Sequence, residues 1–227
     1  MKVNVLTIQE DILGASKEKA RRNQEKLDNH GILSINVMSS PGAGKTSLIL
    51  QTINRLKGKI RIGVIEGDVA SSIDADKIHQ EEVPVIQINI PGGCHLDANM
   101  IENALENLPL EDIDLLLIEN VGNLICPAEF ALGEHKKVLI SSIPEGDDKP
   151  FKYPLMFTEV DLVLVNKIDL LPYLKFDTDA FSQAVKGMNE RVEIFQISCA
   201  TGQGIEQWAS WLLTQMRAGG ILERNIS

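Results

Sequence analysis

The stretch Ser39–Thr46 reads SSPGAGKT and lies between an apolar run, Ile32–Met38, and a segment of helical pattern, Ser47–Leu56. That arrangement confines the chain to a small set of architectures. The apolar run is a buried strand by its β-branched content, and the chain must turn sharply at its end to start the helix. Pro41, Gly42, Ala43 and Gly44 permit such a turn with successive backbone N–H groups facing inward. A phosphate group fits that nest and the positive end of the helix above it. Lys45 reaches the terminal phosphates, the Thr46 hydroxyl ligates magnesium, and Ser47 opens the helix over the phosphate chain. Such loops usually begin with glycine; here Ser39 holds that place, and its small side chain still allows a close turn.

A second motif selects the base. NKID, Asn166–Asp169, follows the strand-like run Val160–Val165. The Asp169 carboxylate can accept two hydrogen bonds from the N1–H and exocyclic amine of guanine. Adenine presents an acceptor at that edge, so the same carboxylate discriminates against it. Asn166 is expected to support the base and the neighbouring loop, and the Lys167 stem to cover one face of the ring. Ser198, Cys199 and Ala200 end a further strand, Glu193–Ser198, and are expected to bring the Ala200 N–H to guanine O6. Together these motifs imply GTP and GDP as ligands.

Seven strands are expected, at 32–38, 60–66, 83–90, 113–119, 136–142, 160–165 and 193–198. Helices are expected at 45–57, 72–82, 96–107, 177–189 and 205–218, with a charged helical segment at about 8–29. Most of the strands are continuous apolar runs, which need cover on both faces. The fold class is α/β, a mostly parallel central sheet with helices on both faces. The 227 residues suit a single domain spanning 1–227, and Pro144–Pro154 is the candidate mobile loop. A net charge of −10 and a pI near 4.9 exclude nucleic acid as the main partner. No apolar run spans a membrane or resembles a secretory signal, so the expectation is a cytoplasmic protein without a membrane partner. Three cysteines are too few for a disulfide framework.

Acidic groups fall at two strand ends. Glu66-Gly67-Asp68 follows the second strand and Glu119-Asn120-Val121-Gly122 the fourth. Asp68 can hold magnesium through water or orient the attacking water, Glu119 can approach the same ion, and the Gly122 N–H can sense the γ-phosphate. Asp74 is a further candidate facing the site. Lys45, Asp68 and Glu119 are thus the catalytic candidates for hydrolysis of GTP to GDP and phosphate. No glutamine is placed to orient water and no arginine finger is assignable, so slow intrinsic turnover is expected.

GGCHLD places Cys94 beside His95, and Cys126 follows in LICP. Two thiols and an imidazole form a Cys/His metal site, for which nickel and zinc both qualify. A tetrahedral ion then needs a water, a partner's residue, or sharing across a two-fold axis. The other histidines, His30, His79 and His135, read as surface or turn residues.

With EGDVASSIDADKI, PGGCHLDA, LLLIENVGNLICP, PEGDDKPFKYP, LVLVNKIDLLP and SCATGQG, the chain resembles the HypB family of GTPases over nearly its whole length. That resemblance implies the SIMIBI class of P-loop NTPases and a role in nickel insertion into [NiFe]-hydrogenases. It implies a homodimer favoured by GTP, with Cys94, His95 and Cys126 as interface metal ligands. It implies Lys45, Thr46, Asp68 and Glu119 around GTP and magnesium. It also implies a HypA-type nickel chaperone as partner and, through it, the hydrogenase large-subunit precursor. Many bacterial relatives carry an N-terminal cysteine motif or histidine-rich tract; Met1–Asn29 has neither cysteine nor histidine, which favours transfer over storage. Two alternatives remain at this stage: a urease-type accessory GTPase, against which GGCHLD with a separate Cys126 argues, and a nucleotide-gated scaffold that binds metal incidentally.

Overall fold

Continuous apolar strands demand cover on both faces, and the chain supplies it. A computed structural model describes residues 8–68 and 77–221, with side chains from residue 15 onward. The strands are β1 (Leu33–Ser39), β2 (Ile62–Asp68), β3 (Val85–Asn89), β4 (Leu115–Glu119), β5 (Lys136–Ser142), β6 (Leu162–Asn166) and β7 (Glu193–Gln196). They form a seven-stranded sheet of order β3-β2-β4-β1-β5-β6-β7. Every pairing in it is parallel, so "mostly parallel" understates the sheet.

The helices are α1 (Ile8–His30), α2 (Lys45–Leu56), α3 (Ala98–Glu106), α4 (Cys126–Glu129), α5 (Lys149–Lys152), α6 (Pro154–Thr158), α7 (Thr178–Met188) and α8 (Ile205–Ala218). Side-chain alternation sorts them onto the two faces. Leu115 and Leu117 of β4 and Val138 and Ile140 of β5 meet α2 and α8, where Trp208 and Leu212 pack on Ile49 and Ile53. The intervening residues point the other way. Leu116 and Ile118 meet Ile101 and Leu105 of α3 and Leu27 of α1, while Leu139, Val163 and Val165 meet Phe157 and Phe181 of α6 and α7.

α1 is charged along most of its length but buries one stripe, Ala20, Asn23 and Leu27. The Asn23 amide donates to the carbonyls of Ala98 at 2.8 Å and Leu132 at 2.9 Å. At its C-terminal end, the His135 ring contacts Ser34 Oγ at 2.7 Å through Nδ1 and Asp28 Oδ1 at 2.9 Å through Nε2. Ser34 is fully buried, so this serine–histidine–aspartate line fastens α1 to β1 and offers no nucleophile.

One expectation is revised. The segment Pro144–Pro154 is built as successive helical turns: a 3₁₀ turn at Ile143–Glu145 closed by a Ser142–Glu145 capping box, then α5 and the start of α6. The Ser142 N–H donates to the Glu145 carboxylate at 2.8 Å, fixing the entry to that run. Residues 72–76 of the helix expected at 72–82, Asp74 among them, lie outside the described residues; 77–79 are helical and 80–82 form a turn.

β1 is the switch point of the sheet. The chain leaves it for β2 and β3 on one side and later returns to lay β5, β6 and β7 on the other. In a parallel sheet the crevice beyond the carboxyl ends of such strands collects the ligand-binding groups. The sites described next lie there.

Candidate functional site: a phosphate loop beside a Cys/His cluster

α2 starts at Lys45 directly from a left-handed Gly44, φ 113°, with no side chain capping its N-terminus. The turn needs glycine there twice over. A side chain would be strained at that φ, and a Cβ would lie 2.4 Å from the Asn166 amide nitrogen. The open helix end therefore faces the crevice with its first N–H groups, an arrangement suited to phosphate. Lys45 is buried, and its ammonium donates to Ser39 Oγ at 3.2 Å. The residue in place of the usual glycine thus holds the lysine beside the loop. The loop and the acidic groups enclose a pocket of about 280 Å³ lined by Pro41, Lys45, Glu66, Asp68, Glu119 and Gly122.

Strand parity explains the acidic side of that pocket. Glu66 and Glu119 are register partners on adjacent strands, and both follow alternate residues that face α2. Both are buried, at 2% and 4% exposure. Thr46 Oγ1 donates to Glu119 Oε1 at 2.9 Å, so the two expected magnesium-side groups already touch. Asp68, half-buried, ends β2 at the same pocket. A hard cation with oxygen ligands fits this donor set. Gly122 packs on Pro41, where a Cβ would lie 2.9 Å from the proline Cα. In the sequence Glu66 is only part of a strand end; the alternation of β2 turns it to the same face as Glu119, and the strand register pairs the two.

The base-side residues are joined to the phosphate loop. Asn166 Nδ2 donates to the Ala43 carbonyl at 2.9 Å, and its Oδ1 accepts from Lys167 N–H at 2.8 Å and Cys199 N–H at 3.1 Å. Lys167 adopts a left-handed backbone, φ 63°, and its ammonium donates to the Gly42 carbonyl at 2.7 Å. The lysine is thereby anchored on the phosphate loop. Ser198 donates its hydroxyl proton to Asp169 Oδ1 at 2.5 Å and orients that carboxylate. Ala200 is exposed at the loop tip. Cys199 is packed against the core, and burial pushes its thiol pKa up to about 11, as a filler rather than a nucleophile requires. Ser47 is exposed in the first turn of α2.

The second site lies one loop away. Cys94 and His95 follow β3, and Cys126 opens α4 after the segment that leaves β4. Their ligand atoms all fall within 4.8 Å of one another. Cys94 Sγ donates to Cys126 Sγ at 3.0 Å and lies 3.3 Å from His95 Nδ1. A tetrahedral ion with metal–sulfur bonds of ~2.3 Å holds its sulfurs ~3.8 Å apart, so the thiols need only a small separation to admit one. The hydrogen bond to Cys126, then burial, raises the Cys94 pKa. Burial lowers the pKa of His95 against the opposing charges of Asp97 and Glu129, which keeps the ring in its neutral, ligating form. The ring also stacks on Phe130, centroids 4.0 Å apart and planes at 19°. Phe130 directly follows α4, and nothing in the sequence signals that this short helix sets it against the histidine.

Residues 33–196 match the family model described as CobW/HypB/UreG, nucleotide-binding domain. The hydrogenase maturation factor HypB of Escherichia coli (strain K12) is 46% identical over 211 residues, 93% of this chain and 73% of that protein. The chain belongs to the HypB family. The probable hydrogenase maturation factor HypB of Methanocaldococcus jannaschii is 42% identical over 205 residues, 90% of this chain and 93% of its own length. A crystal structure of HypB from Helicobacter pylori in complex with nickel superposes with a TM-score of 0.86 at 34% identity, covering 90% of this chain and 96% of that one. FlhF complexed with GTP and magnesium, 17% identical with a TM-score of 0.52 over 76% of this chain and 72% of its own, shares the SIMIBI fold alone. Among the described residues, no helix is long and apolar enough to cross a membrane.

Proposed function

We propose that this HypB-family protein is a GTP-hydrolysing metallochaperone. It binds nickel, or zinc in its place, at Cys94, His95 and Cys126 and assists nickel delivery during [NiFe]-hydrogenase maturation. The observation that carries the reading is the juxtaposition of the two sites: the Cys94–His95–Cys126 cluster hangs from the β3 and β4 exits, and the β4 exit also carries Glu119, bonded to Thr46. The relatives' names, and the nickel held by the Helicobacter pylori protein, support the cargo.

In hydrolysis, a water oxygen bonds to the γ-phosphorus in line with the departing β–γ bridging oxygen. The bridging oxygen keeps the bonding pair as GDP leaves, and the water's protons pass to phosphate and solvent. Lys45 and the N–H groups of Pro41–Ser47 not lost to proline stabilise charge on the transferring oxygens. Magnesium supplies Lewis-acid neutralisation of the phosphate oxygens when bound. Thr46, Glu119 and Asp68 would hold it, and Asp68 or a water beside it would orient the nucleophile. Asp169, aligned by Ser198, reads guanine, while Asn166 and Lys167 tie that reader to the phosphate loop. With no glutamine or arginine assigned to the attacking water, turnover by the isolated protein is slow.

Three ligands from one chain leave a tetrahedral ion one short. A second copy completes or shares the site, which makes the homodimer part of the chemistry, and GTP favours it. The acidic, cytoplasmic protein then passes nickel to or from a HypA-type chaperone, and through it to the hydrogenase large-subunit precursor. The test is nickel binding and GTP hydrolysis by the purified protein. Cys126→Ala removes nickel binding and retains GTP binding; retention of nickel at full affinity in that variant refutes the assignment.

A further inference from the structure

The nucleotide and metal sites face one another across a buried amide. Asn120, at 1% exposure, follows Glu119 immediately. Its Oδ1 accepts from the backbone N–H of Leu96, at 3.1 Å, and from its own neighbour Val121, at 2.9 Å. Its Nδ2 donates to Asn36 Oδ1 at 3.2 Å on the central strand β1. One side chain thus grips the residue after His95, the residue after itself and the strand that feeds the phosphate loop. Leu96 cannot drift from this grip. It is fully buried and pressed on the backbone of Gly67, between Glu66 and Asp68, where a Cβ would lie 2.8 Å from Leu96 Cγ.

We infer that Asn120 is the positioning residue that transmits nucleotide state to the metal ligands, a step that rests on the metallochaperone reading above, with its metal affinity gated by the bound nucleotide. The physical argument is one of shared constraint. Glu119 is bonded to Thr46 and Gly122 is packed on Pro41, so a γ-phosphate and its cation that displace either group displace the segment Glu119–Gly122. Val121 N–H and Leu96 N–H end on the same oxygen, so movement of that segment pulls on the backbone of Leu96 and carries the His95 ring with it. A buried N–H does not readily give up its acceptor, because no water replaces it. Asn123 adds a second tie, its Nδ2 donating to the Cys94 carbonyl at 3.2 Å. It is more exposed to water, which can take over that bond, so Asn120 is the stronger coupler.

The test is the nickel dissociation constant of the full chain with Ni(II) alone, measured at saturating GDP and at saturating non-hydrolysable GTP analogue with magnesium. The wild-type ratio between the two states is expected to be at least about fivefold. In Asn120→Ala it falls towards one, while Asn120→Asp, which keeps both backbone acceptor contacts, restores most of it. A ratio unchanged in Asn120→Ala overturns the inference and leaves the gating reading intact. A wild-type ratio of one overturns both. If Asn120→Ala does not fold, the amide resonances of Leu96 and Val121 in the wild-type protein decide. They shift together on exchange of GDP for the analogue if Asn120 couples them, and a Leu96 amide indifferent to an exchange that moves Val121 excludes the relay.

Discussion

At the residue scale, the strongest commitments attach to side chains with one geometrically fixed task. Asp169, the proposed guanine reader, is held by the Ser198 hydroxyl. Asp169→Asn is expected to lower GTP affinity at least about a hundredfold, from the loss of two charge-assisted bonds, and to raise the relative affinity for xanthosine triphosphate. Competition binding with the two nucleotides checks it, and equal loss for both would place Asp169 outside the base pocket. Glu119→Gln is expected to raise the magnesium concentration for half-maximal hydrolysis about 10- to 100-fold, the range typical of perturbed metal surroundings. The metal cluster has its own pH signature. Cys94 has a raised pKa and carries its proton at neutral pH, while His95, with a lowered pKa, does not. Nickel must displace the thiol proton but no imidazole proton, so affinity rises with pH by about tenfold per unit per thiol proton displaced, up to the thiol pKa. Below the depressed His95 pKa the ring protonates as well and the decline on acidification steepens. Calorimetric titrations across the neutral range measure the slope; a flat profile would mean that no thiol proton leaves.

At the scale of elements, the strands were legible because buried parallel strands leave unbroken apolar runs, and all seven fall within about two residues of their expected bounds, as such boundaries usually do. The phosphate loop, NKID and SCA motifs were legible because their geometry is local: each sits at one strand end. What was not legible depends on distant partners. The turns of α5 and α6 are short and rich in proline, with no amphipathic period to mark them. Their burial of Pro150, Met156 and Phe157 is decided by α7, which arrives later in the chain. In the sequence Asn120 is one polar residue of a strand-end loop, and only the approach of Leu96 gives its amide a partner. α1 also changes character, since a charged helix proves to be fastened by a buried asparagine to two carbonyls. Asn23→Ala leaves both carbonyls without that donor and is expected to destabilise the fold by about 1–3 kcal/mol, read by urea denaturation. A change near zero would mean that water reaches the gap.

At the scale of the molecule, the parallel sheet gathers at one edge two sites that differ in chemistry. Oxygen donors and backbone N–H groups stand beyond β1, β2 and β4, suited to phosphate and a hard cation. Thiols and an imidazole stand on the loops that continue from β3 and β4, suited to a softer ion. Since β4 serves both, nucleotide state is expected to set metal affinity, and by linkage metal to set nucleotide affinity by the same factor. The most direct test is a nickel titration of the purified chain without nucleotide, with GDP and with a non-hydrolysable GTP analogue, with the dimer fraction followed in the same samples. Coupled sites predict affinities that differ by at least about fivefold between the two nucleotide states, a dimer fraction raised by the analogue, and no binding in Cys126→Ala. Equal nickel affinity in all three states, with a dimer fraction indifferent to nucleotide, would contradict that coupling.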